Sequence, residues 1–394
     1  MILWSYLISS IGNSSNRLLL ASVIFHFTKS ESALTASFLI FILPPVLLGN
    51  WIGRFGERFF VEKFMMFLEA VGAILFLLLG IFYQETNLMI VSIVFFISSA
   101  IVNAQKAAIG KYISAVEKEA TNINKLISIR MQIIYISLAI GPYLAGLLIE
   151  KAGVEWGLFM NACSFFISWI LIRFTTSEVA MKTVKKSGFS GGIWENFSIV
   201  KENSQLYLVS FFYGVRSIAY GIVNSTVPVI VLHRLGGGEK VLSYYFVVLV
   251  IGSLMGTFFY RIIEESSVAD KIWKYNRGFV FFSFFEAIFL FFHLSSGEVF
   301  GFILFVFFSN IFMLIVETEI DVVYIENVKQ DEKLLIGSFQ QFVKFSGFLL
   351  GTLLSTLLVS WTSTLYISSI VGLLFLLSMI PYLFQKKLCY ESEA

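Results

Sequence analysis

The chain has 394 residues, of which 57% are hydrophobic and only 14% charged, with a net charge of +2 and a mean hydropathy of +0.83. An ordinary soluble domain carries about 25% charged residues, so soluble, disordered, fibrous and disulfide-scaffold proteins are excluded. Helical bundles and closed β-barrels are the two structures that satisfy the backbone in lipid. Long unbroken apolar runs, instead of alternating segments of about ten residues, favour the helical bundle.

Twelve apolar segments approach the roughly 20 residues that cross a bilayer. In chain order they fall at 3–26, 34–52, 64–83, 88–107, 126–149, 156–174, 206–232, 242–260, 278–294, 299–317, 335–360 and 364–384. A long polar connection at 175–204 is predicted to be a cytoplasmic linker. It divides the chain into an N-terminal six-helix bundle at 1–174 and a C-terminal six-helix bundle at 205–394.

The positions of Lys and Arg orient these spans, because cytoplasmic loops carry an excess of both. With a cytoplasmic N-terminus, 19 of these cations fall in inner loops and 4 in outer loops. Both termini are therefore predicted to be cytoplasmic. The first apolar segment lacks a basic n-region, so we expect no cleaved signal peptide. The spacing of Cys and His offers no metal site, and we expect no cofactor.

The two halves repeat weakly in the same helix order. His26 and His233 are 207 residues apart, and Glu69 and Glu286 are 217 apart. Further matched pairs are Tyr112 with Tyr324, Gln132 with Gln341, and Ser137 with Ser346. Six plus six helices in a parallel repeat form a transporter architecture, in which substrate is handled between the halves. The prediction is an all-α polytopic membrane protein of twelve transmembrane helices in two pseudo-symmetric bundles.

Two motifs resemble those of the major facilitator superfamily. The loop at 49–58 reads GNWIGRFGER and resembles GxxxDRxGRR, with Gly53 in place of the Asp and Glu57 in place of an Arg. Span 5 contains GPYLAG at 141–146, which is similar to the GPxxGG pattern of drug and metabolite antiporters. The residues expected to gate the protein or to pack its helices closely are Gly49, Gly53, Arg54, Gly56, Arg58, Gly141, Pro142 and Gly146.

The N-terminal half also resembles the macrolide-efflux-like exporter branch, through SSIGN at 9–13, TKS at 28–30 and LPP at 43–45. This resemblance implies proton-coupled efflux of a drug, an antibiotic or a secondary metabolite from the bacterial cytoplasmic (inner) membrane. A peptide-derived antibiotic is one conceivable cargo. The expected partners are a small-molecule substrate, protons and the lipid bilayer, with no nucleic acid and a monomeric chain.

The sequence is also compatible with other functions. An uptake symporter of the same fold is the main alternative, and a receptor, channel or scaffold is a third. The sequence has no GxxxxGK[ST] nucleotide-binding motif, so ATP-driven transport by this chain alone is disfavoured. An enzyme is not expected, since three histidines form no recognisable nucleophile, base and acid set.

Polar residues inside spans are the best site candidates, because an intramembrane charge costs roughly 3 kcal/mol or more. The resemblance implies that spans 1, 4, 7 and 10 line a central cavity. The cavity candidates on these spans are Asn13, Asn16, Arg17, Asn103, Lys106, Tyr213, Arg216, Tyr220, Asn224, Asn310 and Met313.

Two acids are candidates for proton coupling, Glu317 and Asp321. Lys106 occupies nearly the repeat position of Glu317 and is predicted to be its partner. The alternative is that both acids cap the inner end of span 10. Glu69 and Glu286 are expected to have structural roles, and Lys344 either reaches the cavity or is structural.

Overall fold

The computed structural model describes residues 2–44, 47–48, 60–117, 123–174, 197, 200–264, 277–327 and 333–384. Every regular element within them is helical, which confirms the all-α prediction. The linker residues 175–196 and 198–199 lie outside the described part of the chain. So do five residues of the loop motif, namely Gly49, Gly53, Arg54, Gly56 and Arg58.

Within these ranges, twelve α-helices overlap the twelve predicted spans, α2 by three residues and the others over most of their length. They are α1 Ile2–Thr28, α2 Glu31–Ala36, α3 Val61–Ile81, α4 Leu88–Glu117, α5 Ile123–Ala152, α6 Val154–Arg173, α7 Ser204–Val229, α8 Gly238–Glu264, α9 Arg277–Ser295, α10 Val299–Asn327, α11 Lys333–Val359 and α12 Thr364–Phe384. Helical residues follow α2 at 39–44 and 47–48. A 3-10 turn at Tyr83–Glu85 precedes α4, and a π-helical turn at Ile230–Arg234 follows α7.

Eight of the described helices are long and apolar enough to cross a membrane. Three shorter apolar helices lie at Glu31–Pro44, Val280–Ser295 and Thr364–Met379. Helix α1 has 27 residues and is absent from both groups. Its polar residues, which include Asn13, Asn16 and Arg17, lower the mean hydropathy of this long helix.

The chain forms two compact units, each with its own helix packing. One comprises Met1–Ser187 with Val231–Val247, and the other Gly188–Ile230 with Val248–Ala394. In the first unit, α1 packs on α5 and α6, and α3 packs on α4 and α6. In the second unit, α7 packs on α11 and α12, and α9 packs on α10 and α12. The same pairings recur six helices later, which confirms the pseudo-symmetric repeat.

The Gly-Pro motif of span 5 lies where α5 packs against α1. A Cβ atom added to Gly141 would overlap the backbone oxygen of Ile11 and the hydroxyl of Ser14. That hydroxyl also donates to the backbone oxygen of Ser137 at 2.5 Å. Pro142 lies inside the helix and has no N–H to donate. Gly141 therefore allows two backbones to approach as small residues do in membrane bundles.

We expect Gly141→Ala to destabilise the protein by about 1–3 kcal/mol, the usual cost of overpacking. Gly372→Ala in α12 is the matched control, because a Cβ there meets no atom within 4 Å. The control should be neutral or mildly stabilising, since Ala favours a helix over Gly by about 1 kcal/mol. Thermal unfolding of both purified variants in detergent measures the difference, and equal midpoints would contradict the packing role of Gly141.

Candidate functional site

A buried ion pair joins α7 to α9 in the second unit. Nη2 of Arg216 donates to Oε1 of Glu286 at 3.0 Å, and Nη1 lies 2.9 Å from Oε2. The two side chains are 2% and 0% exposed. The guanidinium also donates to the hydroxyls of Tyr220 at 3.2 Å and Ser283 at 3.4 Å. Charges this deeply buried persist in proteins when they are paired and hydrogen-bonded.

Three aromatic rings surround the same guanidinium. Its Cζ lies 5.4 Å from the ring centroid of Phe212, 5.5 Å from that of Tyr220 and 5.4 Å from that of Phe375. Each ring face attracts the cation at such distances. Arg216, predicted as a cavity residue, is thus held by one carboxylate and by rings of α7 and α12, and its pairing with Glu286 fixes α7 against α9.

A second ion pair joins α10 to α11 and is more accessible. Nζ of Lys344 lies 2.6 Å from Oε1 of Glu317, and the side chains are 35% and 25% exposed. The hydroxyl of Tyr213 donates to the same carboxylate oxygen at 3.4 Å, and its ring centroid lies 5.5 Å from Nζ. Within its own bundle Glu317 thus has a cationic partner, Lys344, and the predicted pairing of Glu317 with Lys106 stays a prediction.

The two ion pairs are neighbours in the second bundle. Tyr213 and Arg216 are three residues apart on α7, so their side chains lie on one face of that helix. The site therefore contains two acids and two cations whose charges cancel. One pair is sealed inside the bundle, whereas the other remains partly exposed and contains the groups that can exchange partners.

The first bundle contains a hydrogen-bonded network around Glu69 of α3. Oγ of Ser9 donates to Oε2 of Glu69 at 3.0 Å, and Nε2 of Gln105 donates to Oε1 at 3.0 Å. Nδ2 of Asn13 donates to Oε1 of Gln105 at 2.9 Å. Glu69 is 0% exposed, and across the described ranges it forms no ion pair. The network links α1, α3 and α4 through neutral donors.

The two networks occupy matched positions of the internal repeat. Ser9 and Arg216 are 207 residues apart, the offset of His26 and His233, and Glu69 matches Glu286. Gln105 and Glu317 are 212 apart, the offset of Tyr112 and Tyr324. Both bundles thus contain an acid at the same place. In the second bundle its neighbours are charged, whereas in the first they are uncharged.

The remaining asparagine candidates lie within their own bundles. Asn16 donates to Oγ of Ser98 at 2.9 Å and accepts from Nδ2 of Asn161 at 2.5 Å, so it links α1 to α4 and α6. Three others donate to the backbone oxygen one turn earlier, at 2.7–2.9 Å, and these are Asn103, Asn224 and Asn310. Such bonds satisfy the amide nitrogen locally and leave the amide oxygen for other partners.

Four other residues are predicted to line the cavity or to couple protons, namely Arg17, Lys106, Met313 and Asp321. Arg17 and Lys106 are exposed, and Met313 is half-buried. Asp321 lies on α10, but its side chain is outside the part that the structure describes.

Sequence reasoning missed three members of these networks, Ser9, Gln105 and Ser283. Neutral residues of these types are common in spans, so composition does not distinguish them. The repeat contained a signal that could have found two of them. Extending its offsets from Arg216 and Glu317 leads to Ser9 and Gln105.

Comparison with known proteins identifies the family. The sequence model of the Major Facilitator Superfamily matches residues 2–318. The chain belongs to the Major Facilitator Superfamily. It is therefore a multi-pass membrane transporter and not an enzyme. A comparison with curated proteins gave no match.

Solved transporters of this superfamily share the fold. A mutant form of the nucleoside transporter NupG superposes with a TM-score of 0.74 at 14% identity, covering 97% of this chain and 99% of that one. A bacterial homologue of the iron transporter ferroportin gives 0.70 at 14% identity, covering 96% and 97%. A bacterial homolog of the lysosomal transporter Spinster gives 0.67 at 12% identity, covering 97% and 92%. At such identities, the likeness defines the fold alone.

A third charged group of the transporter lies in the first unit, outside the predicted spans. Nη2 and Nε of Arg234 donate to Glu31 at 2.8 and 3.2 Å, and Nδ1 of His233 lies 2.8 Å from Glu31. Both basic residues belong to the π-helical turn that follows Pro228, whose missing N–H interrupts the α-helical pattern. Burial alone raises the pKa of Glu31, but Arg234 and His233 outweigh it and hold the pKa below the ordinary value of about 4.5.

This ion pair predicts a pH dependence of stability. Because the folded pKa of Glu31 is depressed, its contribution is fully present above about pH 4.5 and is lost as the pH falls through the folded pKa. Glu31→Gln should lower the unfolding midpoint at pH 7, by an amount corresponding to about 1 kcal/mol, and have little effect at acidic pH. Glu150→Gln is the control, because its contact with Lys240 is longer at 3.4 Å and more exposed. Equal effects of the two substitutions would contradict the prediction.

Proposed function

We propose that this transporter exports a drug-like molecule, an antibiotic or a secondary metabolite in exchange for protons, by alternating access of its two bundles. The observation that carries the proposal is the ion pair of Glu317 and Lys344. It combines a short contact of 2.6 Å with partial exposure of both side chains. Coupling proton movement to cargo movement at one site requires at least a protonatable acid that both water and substrate can reach.

The proposed exchange follows from charge balance. A cationic or hydrogen-bond-donating group of the cargo binds the carboxylate of Glu317 in place of Lys344. Protonation of Glu317 removes that negative charge, so the cargo is released as the proton binds, and loss of the proton restores the carboxylate for the next cargo molecule or for Lys344. Proton and cargo then compete for Glu317, and each lowers the affinity of the protein for the other by the same factor.

The neighbouring groups support the assignment of proton and cargo binding to the pair of Glu317 and Lys344. Tyr213 contacts both Glu317 and Lys344, so it can stabilise either partner while the other is occupied. Arg216 and Glu286 neutralise each other in the interior. They leave the second pair as the one that responds to pH and cargo.

Several finer features belong to the same proposal. The resemblance to the macrolide-efflux-like branch supports export, with a peptide-derived antibiotic as one candidate cargo. We further propose a monomer in the bacterial cytoplasmic (inner) membrane with both termini cytoplasmic, in accord with the loop cations. The bundles are proposed as 1–174 and 205–394, joined by the linker at 175–204.

The test begins with a strain that lacks the gene and a panel of toxic compounds. Export predicts sensitivity to at least one compound, relieved by the wild-type gene. In inside-out vesicles with an acidified lumen, adding that compound should make the lumen more alkaline, because protons leave as the compound enters. Further acidification would indicate the alternative, an uptake symporter. An unchanged response across a broad panel would count against drug export.

A further inference from the structure

A buried carboxyl in the first bundle has no role in the exchange proposed above. Glu69 is fully buried on α3, and both of its oxygens accept hydrogen bonds, one from Ser9 and one from Gln105. In the residues that the structure describes, no Lys, Arg or His pairs with it. An isolated carboxylate at such a place is far less favourable than its neutral acid form, which buries no charge.

The groups that face Glu69 from the neighbouring helices are neutral. Helix α1 contributes Ser9, α4 contributes Gln105, and α6 contributes Ser168. The charged residues nearest in sequence on these four helices are Arg17 on α1, Glu62 and Lys63 on α3, Lys106 on α4 and Arg173 on α6. Within the described part of the chain, none of them forms an ion pair with Glu69. The site therefore offers no compensating positive charge, and the hydroxyl oxygen of Ser168 can accept the hydrogen bond of a neutral acid.

The second bundle provides an internal comparison for this acid. Glu286 holds the matched repeat position, and it is buried to the same degree as Glu69. Arg216 supplies a cation there, whereas Ser9 holds the corresponding place in the first bundle. The two bundles thus contain the same acid with and without a counter-ion. Glu286 is therefore expected to be ionised, and Glu69 to be neutral.

We propose that Glu69 is a second proton-binding site, which holds its proton in the conformation described here. Asn13 joins Gln105 to the rest of α1, and Arg17 lies one turn further along and is exposed. This row of polar groups connects Glu69 with an accessible part of its own bundle and offers a route for the proton to leave. The role of this proton in transport rests on the proposed proton coupling, whereas its presence on Glu69 does not.

The decisive experiment compares Glu69→Gln with Glu286→Gln. Gln has the shape of a neutral acid, so Glu69→Gln should leave the unfolding midpoint of the purified protein nearly unchanged. Glu286→Gln leaves Arg216 buried without its counter-ion and should lower the midpoint strongly. Equal, large losses for the two variants would show that Glu69 is ionised and would overturn the proposal.

Infrared spectroscopy provides a readout that is independent of transport. At neutral pH, the wild type should show the carbonyl stretch of a protonated carboxylic acid, and Glu69→Gln should remove it. Glu317→Gln should retain that band. Ser9→Arg, which installs the cation present in the second bundle, should convert the band to that of a carboxylate. A band that persists in Glu69→Gln would overturn the assignment even if proton-coupled export is confirmed.

Discussion

Arg216→Leu should destabilise the transporter by about 3–5 kcal/mol, the usual cost of leaving one charge of a buried pair without its partner. Glu286 would then be fully buried with no cation, since its oxygens lie 3.0 and 2.9 Å from the two guanidinium nitrogens of Arg216. The loss should appear as a lower unfolding midpoint and a lower yield of monodisperse protein in detergent.

The double variant Arg216→Leu/Glu286→Gln separates charge from packing. It removes both charges together, so most of the stability should return, because apolar or neutral replacements of buried pairs are often tolerated. A double variant no more stable than Arg216→Leu would show that the pair acts through packing of the guanidinium against Phe212, Tyr220 and Phe375. Loss of transport in Arg216→Ala would accordingly not identify Arg216 as a substrate ligand.

Glu317→Gln should abolish proton-driven transport while leaving the protein folded. The pair with Lys344 is partly exposed, so its loss should cost only about 1 kcal/mol of stability or less. Transport is expected to fail because the Gln side chain cannot take up and release a proton. Exchange of labelled for unlabelled cargo should persist with a lower affinity, since it requires no net proton movement and the Gln side chain still accepts a hydrogen bond.

Two matched variants complete this test. Glu298→Gln changes an exposed acid at the start of α10 and should transport as the wild type does. Lys344→Gln should strengthen cargo binding, because it removes the cation that competes with the cargo for Glu317. If Glu317→Gln retains full transport driven by a pH gradient, Glu317 is not the coupling group. Asp321 would then be the next acid to test.

The helices of this protein could be predicted with little help from tertiary structure. Hydropathy over about 20 residues is a local property, and it located spans at all twelve of the described helices. Helices α2, α9 and α12 show the limit of that property, because their described apolar segments are shorter than a full span. The repeat was also visible in sequence, since matched residues keep a nearly constant offset, and the packing pairs of the two bundles confirm it.

The partners of the intramembrane charges could not be predicted in the same way. Glu286 lies 70 residues from Arg216, and Lys344 lies 27 residues from Glu317. Many pairings satisfy charge balance, and the choice among them depends on which helices pack together and which faces they turn inward. Equivalence in the repeat suggested Lys106 for Glu317, whereas in the second bundle the side chain of Lys344 on α11 reaches Glu317 on α10 at 2.6 Å.

By itself, the sequence determined the membrane environment, the number and order of the helices and the superfamily. These depend on hydropathy and on short motifs, which are properties of neighbouring residues. Only the tertiary structure decided which charges are buried as a fixed pair, which pair remains accessible, and that Glu69 has neutral partners. Those distinctions depend on distances between side chains on different helices, where a difference of a few ångströms decides whether a charge is compensated.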